Sequence, residues 1–211
     1  MGPVVFCALM HHKKVISNTN SPRSAGHIRI IGGCWRGRKL PVPNRSGLRP
    51  TSDRIRETLF NWLEPVIQKA HCLDCFAGSG ALGLEALSRG AASLTLLEQD
   101  RSVSSLLVRN LRVLKAQQAR VVTTNSLRWL AQTGNTFNLV FIDPPFRQCL
   151  INKTVDVLEQ YRRLSNGAWI YIETEIEALT LQMPAHWALH RGKVTGQVAY
   201  RLYIRHPTKI F

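Results

Sequence analysis

The chain has 211 residues, 45% of them hydrophobic, and its 28 Lys and Arg against 13 Asp and Glu give a formal net charge of +15. This length suits one domain with a good core and short appendages. Five cysteines at scattered positions exclude a disulfide framework, and the apolar run Val4–Met10 is too short to span a membrane.

Positive charge is concentrated in the first part of the chain. Residues 1–60 contain eleven Lys and Arg but two acids, which places nine of the fifteen net charges there. The asymmetry favours a polyanionic partner, nucleic acid before an anionic membrane, although plain solubility is the simpler alternative. We expect residues 1–26 to form a flexible tail and the protein to be cytoplasmic, with no membrane partner.

The stretch HIRIIGGCWRGRKLPVP, residues 27–43, alternates apolar and basic residues around several glycines. The pattern predicts a twisted β-hairpin with its basic side chains on one face. We assign this hairpin and the loop after it, residues 27–50, as a basic extension.

The stretch TSDRIRETLFNWLEPVI, residues 51–67, predicts a helix. Thr51 and Ser52 are N-cap candidates, acids follow in the first turn, and apolar residues then recur at helical spacing. Pro65 should bend or end this helix.

From residue 70 onward, short apolar runs alternate with helical patterns. The predicted strands cover residues 71–76, 93–98, 119–124, 138–143 and 168–173, and the clearest helix covers residues 101–115. This rhythm indicates a parallel sheet covered by helices on both faces. The last part of the chain predicts two strands around Thr195-Gly196, an antiparallel hairpin that closes the sheet.

A glycine-rich turn follows the first strand of this series. Gly78, Gly80 and Gly83 fit the pattern G-x-G-x-x-G, and Glu98 ends the next strand, where a carboxylate can bind ribose hydroxyls. The two motifs indicate an adenosine-like cofactor but leave NAD and S-adenosylmethionine open. Asp74, a further acid at the same edge, suits a cationic sulfonium better than a pyrophosphate.

The fourth strand of the series ends on Asp143-Pro144-Pro145-Phe146. Its end borders the ligand crevice of an open α/β sheet. Asp143 can accept hydrogen bonds from an exocyclic amine, the prolines fix the backbone, and Phe146 offers a ring for a flat base. Neither Cys72-x-x-Cys75, whose thiols should point apart in a strand, nor the histidines show the spacing of metal ligands, so we predict no metal.

The chain from about residue 27 to 205 resembles the RsmD family of bacterial 16S ribosomal RNA guanine-N2 methyltransferases. The matching runs are RIIGGCWRGRKLPVP, GLRPTSDRIRETLFNWL, DCFAGSGALGLEALSRGA, LLEQD, NLVFIDPPFR, WIYIETE and GQVAYRLY. The resemblance implies a Rossmann-like class I fold over residues 51–211, with a mostly parallel seven-stranded sheet. It also implies methyl transfer from S-adenosylmethionine to the N2 amine of a guanine in 16S rRNA of an assembled or assembling small subunit.

The resemblance also implies roles for individual residues. The catalytic group comprises Asp143, Pro144, Pro145 and Phe146. The cofactor group comprises Thr51, Asp74, Phe76, Ala77, Gly78, Ser79, Gly80, Glu98 and Asn125. For Asn125, an equally good alternative is the N-cap of the next helix.

RNA would be held by the basic extension, since Lys and Arg neutralise phosphates and an aromatic ring can stack on a splayed base. The candidates in the extension are Arg29, Trp35, Arg36, Arg38, Lys39 and Arg49, and Arg147 is a further candidate beside the pocket. We expect a monomer. The competing functions are an adenine-N6 DNA or protein-glutamine methyltransferase on the same fold and a nicotinamide-dependent oxidoreductase, which leaves Asp143–Phe146 unexplained.

Overall fold

The computed structural model of the chain describes residues 26–42, 51–146, 148–176 and 181–207. In chain order, the elements are β1 (His27–Arg29), β2 (Lys39–Pro41), α1 (Asp53–Leu63), β3 (His71–Asp74), α2 (Ala81–Ser88), β4 (Ser93–Glu98), α3 (Arg101–Leu114), β5 (Ala119–Thr123), α4 (Ser126–Leu130), β6 (Phe137–Ile142), α5 (Leu150–Gln160), β7 (Leu164–Glu175), β8 (Trp187–Thr195) and β9 (Val198–Arg205).

Seven of the strands form one sheet in the order β5-β4-β3-β6-β7-β9-β8. The first five in this order run parallel, whereas β9 is antiparallel to both β7 and β8. The predicted fold, a mostly parallel seven-stranded sheet with an antiparallel C-terminal hairpin, is therefore confirmed. Strand order reverses between β3 and β6, and in such sheets ligands bind outside the carboxyl ends of the strands at that point.

Two apolar clusters cover the two faces of the sheet. The first joins α1, α2 and α3 to one face, and the second contains side chains of α4 and α5. Cys72 belongs to the first cluster and Cys75 to the second, so the two thiols are directed into different parts of the core. Within the described residues, no cluster of three His, Cys, Asp or Glu side chains could hold a metal ion.

Strand β7 is longer than the prediction of residues 168–173. It begins at Leu164, and its register against β6 shifts between the pairs Phe137–Leu164 and Leu139–Trp169. Gly167, with φ of 71°, lies inside this irregular stretch. The bulge interrupts the apolar pattern, which is why the sequence shows only the regular part of the strand.

The N-terminal hairpin is confirmed, with strands of three residues each. Ile28 and Leu40 are buried while Arg29 and Lys39 are exposed, as the alternation predicts. A 3-10 turn, Gly33–Trp35, connects the strands and packs on the end of α2. Gly33 has φ of 74°, and a Cβ there would collide with the Ser88 carbonyl oxygen, so only glycine allows this close approach.

A buried ion network attaches the hairpin to the main domain. Glu85 of α2 is fully buried and accepts from the Ile31 amide at 2.9 Å, from Arg89 Nε at 2.8 Å and from Arg56 Nη1 at 3.4 Å. Arg56 of α1, equally buried, also donates to the Arg29 carbonyl at 2.8 Å. One carboxylate thus links the hairpin to both α1 and α2.

At the other end of the chain, Glu159 of α5 anchors the C-terminal hairpin. It accepts from Arg205 Nε and from Trp187 Nε1, both at 2.7 Å. None of the helices in the described ranges has the length and hydropathy that crossing a membrane requires.

We expect Glu85→Gln to lower the free energy of unfolding by roughly 3 kcal/mol, because the amide turns a donor toward buried arginine donors. The measurement is urea denaturation at neutral pH. The control is Glu64→Gln at the exposed end of α1, which should cost less than about 0.5 kcal/mol. Equal losses in the two variants would contradict a structural role for the network.

Candidate active site

A cleft of about 410 Å³ opens at the carboxyl edge of the sheet, around the point where strand order reverses. It extends from the end of β4 to the turn between β8 and β9. Twelve predicted catalytic and cofactor residues line it: Thr51, Asp74, Phe76, Ala77, Gly78, Ser79, Glu98, Asn125, Asp143, Pro144, Pro145 and Phe146. The structure therefore brings together side chains that are up to 95 positions apart.

Gly80 belongs to the predicted group but does not line the cleft. It is the N-cap of α2 in the left-handed conformation, with φ of 77°. A Cβ at this position would lie 2.7 Å from Leu107 Cδ2. Gly80 thus permits the turn and the close packing of α3, while its neighbours face the cleft.

Glu98 is hydrogen-bonded to the glycine turn. Its Oε2 accepts from the Gly78 amide at 3.0 Å, and its Oε1 accepts from the Asp100 amide at 2.8 Å. These bonds fix the carboxylate at the end of β4, beside the amino end of α2. Whether it contacts ribose stays a prediction.

Asp74 is an acid with little contact to water. Its side chain is 2% exposed, and its Oδ1 accepts from the Phe76 amide at 3.3 Å. Burial raises the pKa of Asp74 to about 7, helped by the charge of Glu98 and opposed by backbone amides of Phe76 and Gly83. Asp74 therefore changes protonation near neutral pH.

Asp143 follows the last residue of β6. Thr51, in the segment before α1, donates from Oγ1 to Asp143 Oδ2 at 3.2 Å. Burial raises the pKa of Asp143 well above its usual value, and the charges of Glu173 and Asp74 add to the effect, while the Thr51 hydrogen bond opposes it. The carboxyl of Asp143 is consequently a stronger proton acceptor than a carboxyl in water.

The rest of the tetrapeptide forms the rim. Pro144 is buried, whereas Phe146 is 40% exposed and lines the cleft. An exposed aromatic ring beside an acid is a surface on which a planar base can stack. Stacking on Phe146 stays a prediction.

Asn125 lies after β5 and is the N-cap of α4, where its side chain accepts from the Arg128 amide at 3.1 Å. The N-cap role is thereby confirmed. Because Asn125 also lines the cleft, its place in the cofactor group stays a prediction.

Two parts of the cleft were missed in the sequence. Glu173 of β7 lines it, as do Thr195–Val198 at the C-terminal hairpin turn. The run WIYIE, which ends on an acid at the carboxyl end of a parallel strand, was the signal for Glu173. No local signal places the hairpin turn, because its position depends on the pairing of β9 with β7.

The predicted RNA-binding residues lie elsewhere. Arg29, Arg36, Arg38 and Lys39 are exposed, Trp35 is half-buried against the first apolar cluster, and none of the five lines the cleft. The hairpin turn packs beside Ser88 at the carboxyl end of α2, whereas the amino end of α2 faces the cleft. Arg49 and Arg147 lie outside the described residues.

Comparison with known proteins gives consistent matches over most of the chain. The family model described as Conserved hypothetical protein 95 matches residues 28–204. Ribosomal RNA small subunit methyltransferase D of Escherichia coli is 62% identical over 181 residues, 86% of this chain and 91% of that protein. The protein of the same name from Haemophilus influenzae is 50% identical over 187 residues, 87% of this chain and 96% of that protein.

A solved structure agrees with these matches. An Escherichia coli protein whose description names a methyltransferase shares 60% identity and superposes with a TM-score of 0.81. The superposition covers 86% of this chain and 99% of that chain.

Asp74 should impose a pH dependence on stability. An acid whose pKa is raised by folding binds more protons in the native state, so the free energy of unfolding falls as pH rises from about 4 to about 7. We expect Asp74→Asn to flatten this decline and to be more stable than the wild type by about 2 kcal/mol at pH 8. The measurement is urea denaturation across this pH range. Asp156→Asn on the exposed side of α5 is the control, and if its profile matched that of Asp74→Asn the assignment would be wrong.

Proposed function

Since this chain belongs to the RsmD family, we propose that it methylates the exocyclic N2 amine of a specific guanine in 16S ribosomal RNA, with S-adenosyl-L-methionine as the methyl donor. The names of the relatives specify a methyltransferase and small-subunit ribosomal RNA. They favour RNA over the DNA and glutamine alternatives and methyl transfer over an oxidoreductase. The guanine and its N2 amine are what the family resemblance implies, and the donor is inferred from the residues of the site.

One observation carries the proposal. Asp143, held by the Thr51 hydroxyl, lies across the strand reversal from the glycine turn and Glu98, and all of them line one cleft. An acceptor for an amine and a site for a nucleoside cofactor thus face a common space. This is the arrangement that a direct transfer between two bound molecules requires.

The cofactor residues fit S-adenosylmethionine. The glycine turn leaves backbone beside the cleft, and Glu98 offers a carboxylate suited to a ribose diol. Asp74 is buried with a raised pKa, which means that its charged form lacks sufficient compensation. A sulfonium or ammonium close to Asp74 would supply that compensation, whereas a pyrophosphate would increase the repulsion.

When bound, the cofactor supplies a methyl group that needs no further activation. The residues of this chain then have to orient a weak nucleophile, because the N2 lone pair of guanine is delocalised into the ring. A hydrogen bond from N2–H to Asp143 turns the amine, and the raised pKa of Asp143 favours transfer of the departing proton to it. Phe146 stacks on the base, and the prolines keep Asp143 and Phe146 in fixed relation.

The test of this function is the loss and recovery of one modification. Ribosomal RNA from cells that lack the protein should lose N2-methylguanine at one position of 16S rRNA, and small subunits from those cells should be methylated by the purified protein. Asp143→Ala should lower the rate by at least about 100-fold while binding S-adenosylmethionine within a few-fold of wild type. Asp156→Ala on α5 is the control. Unchanged N2-methylguanine in the deficient cells would refute the function.

RNA binding by the hairpin is a separate proposal. Arg36 and Lys39 are exposed, and Arg38 donates to the Val113 carbonyl at 3.4 Å, so it also has a structural contact. Exposed cations on a firmly attached hairpin can neutralise phosphates beside the target nucleotide.

We expect Arg36→Glu/Lys39→Glu to weaken RNA binding and to reduce the slope of log affinity against log salt by about two. Arg38 is kept because of its bond to Val113. The matched control is Lys153→Glu/Arg162→Glu, which reverses two exposed cations on and just after α5, whose apolar cluster covers the opposite face of the sheet from the hairpin. Equal salt slopes for the two variants would show that the hairpin is not part of the RNA interface.

A further inference from the structure

The strand order divides the cleft into two halves. The glycine turn and Glu98 belong to the side of β3 and β4, while Asp143, Glu173 and the turn between β8 and β9 belong to the side of β6, β7 and β9. The first half suits a nucleoside cofactor, as argued above. The second half must then accept the base, and Glu173 is an acid in this half to which no role has been given.

Register places Glu173 next to Asp143. Ile142 pairs with Ile172 on neighbouring parallel strands, so Asp143 and Glu173 follow at the same level. The rings of Phe141 and Tyr171 meet edge to face on one side of the sheet, with centroids 6.3 Å apart. Because side chains alternate along a strand, Asp143 and Glu173 project to that same side, from strands about 4.8 Å apart.

Glu173 is held in a defined position. Its side chain is nearly buried, and Tyr171 OH donates to its Oε2 at 2.8 Å. Burial raises the pKa of Tyr171 well above its usual value, and nearby Glu173 and Asp143 raise it further, so the phenol keeps its proton and remains the donor. Glu173 is therefore fixed as an acceptor, and a carboxylate has lone pairs for several hydrogen bonds.

Resting on the proposed function, we propose that Glu173 is the specificity-determining residue that reads guanine by accepting a hydrogen bond from N1–H while Asp143 accepts from N2–H. Guanine presents these two donors side by side, which matches two adjacent acceptors. Adenine presents an amine beside an unprotonated N1, whose lone pair would face the Glu173 carboxylate. A site of this kind rejects a base by leaving its own buried polar group unpaired.

The experiment replaces the methylated guanine with 2-aminopurine. This base keeps the N2 amine, but its N1 carries no hydrogen. Small subunits are reconstituted with 16S rRNA that contains either base at the mapped position. We expect the wild type to prefer guanine by about 100-fold or more in kcat/KM.

Glu173→Gln should reduce this preference to less than about tenfold, because the glutamine amide can accept from N1–H of guanine or donate to N1 of 2-aminopurine. The matched control is Glu175→Gln, two residues along the same strand and outside the residues that line the cleft, and it should keep the wild-type preference. Affinity for S-adenosylmethionine, measured by calorimetry, should stay within about threefold in both variants, which shows that the cleft is intact.

The affinities of each variant for small subunits that carry guanine and for those that carry 2-aminopurine are also compared by competition. This comparison requires no turnover, so it measures base recognition even in a variant that methylates slowly. A guanine preference in Glu173→Gln equal to that of wild type, in both turnover and affinity, would overturn the role of Glu173. Absence of guanine methylation by the wild type would instead refute the proposed function itself.

Discussion

Three acids, Asp74, Asp143 and Glu173, come together at the carboxyl edge of the sheet, and the cost of holding their charges close together in a poorly solvated place is the constraint on which the site depends. The pKa of Asp74 is raised to about 7, and that of Asp143 is raised well above its usual value, in both cases mainly because burial disfavours the charged form. Hydroxyl and amide donors, from Thr51, Tyr171 and Phe76, offset part of this cost. Molecules that bring positive charge or hydrogen-bond donors into the cleft offset more of it, which is the electrostatic basis of the proposed cofactor and base.

The ion network between the hairpin, α1 and α2 stabilises buried charge in a different way. Glu85 is as buried as any residue of the protein, yet two arginines and a backbone amide contact it. That network joins three elements and leaves its acid satisfied by the protein alone. The contrast separates a carboxylate whose charge is balanced by arginines of the protein from carboxylates that line a cleft.

The sequence was informative where local chemistry determines position. Strand and helix patterns predicted the sheet, and the acids at strand ends predicted the cleft, because parallel strands bring their carboxyl ends to one edge. The sequence was less informative about residues whose position is determined by backbone geometry. Gly80 belongs to a motif that predicts a ligand contact, but in the structure it permits the turn before α2. The bulge around Gly167 interrupts the apolar pattern of β7, so the first part of this strand was not predicted. The hairpin turn at Thr195–Val198 reaches the cleft through long-range pairing, which no local pattern encodes.

The basic hairpin is attached at the carboxyl end of α2, and the length of this helix determines how far the hairpin turn lies from the cleft. A helix of eight residues spans about 12 Å, so the hairpin turn, which packs on the carboxyl end of α2, is separated by about that distance from the amino end, which lines the cleft. Phosphates bound near the hairpin turn would therefore belong to nucleotides other than the one in the cleft. If the hairpin binds RNA as proposed, it contacts parts of the RNA that flank the target nucleotide, and oligonucleotides too short to reach both the cleft and the hairpin would gain little from it.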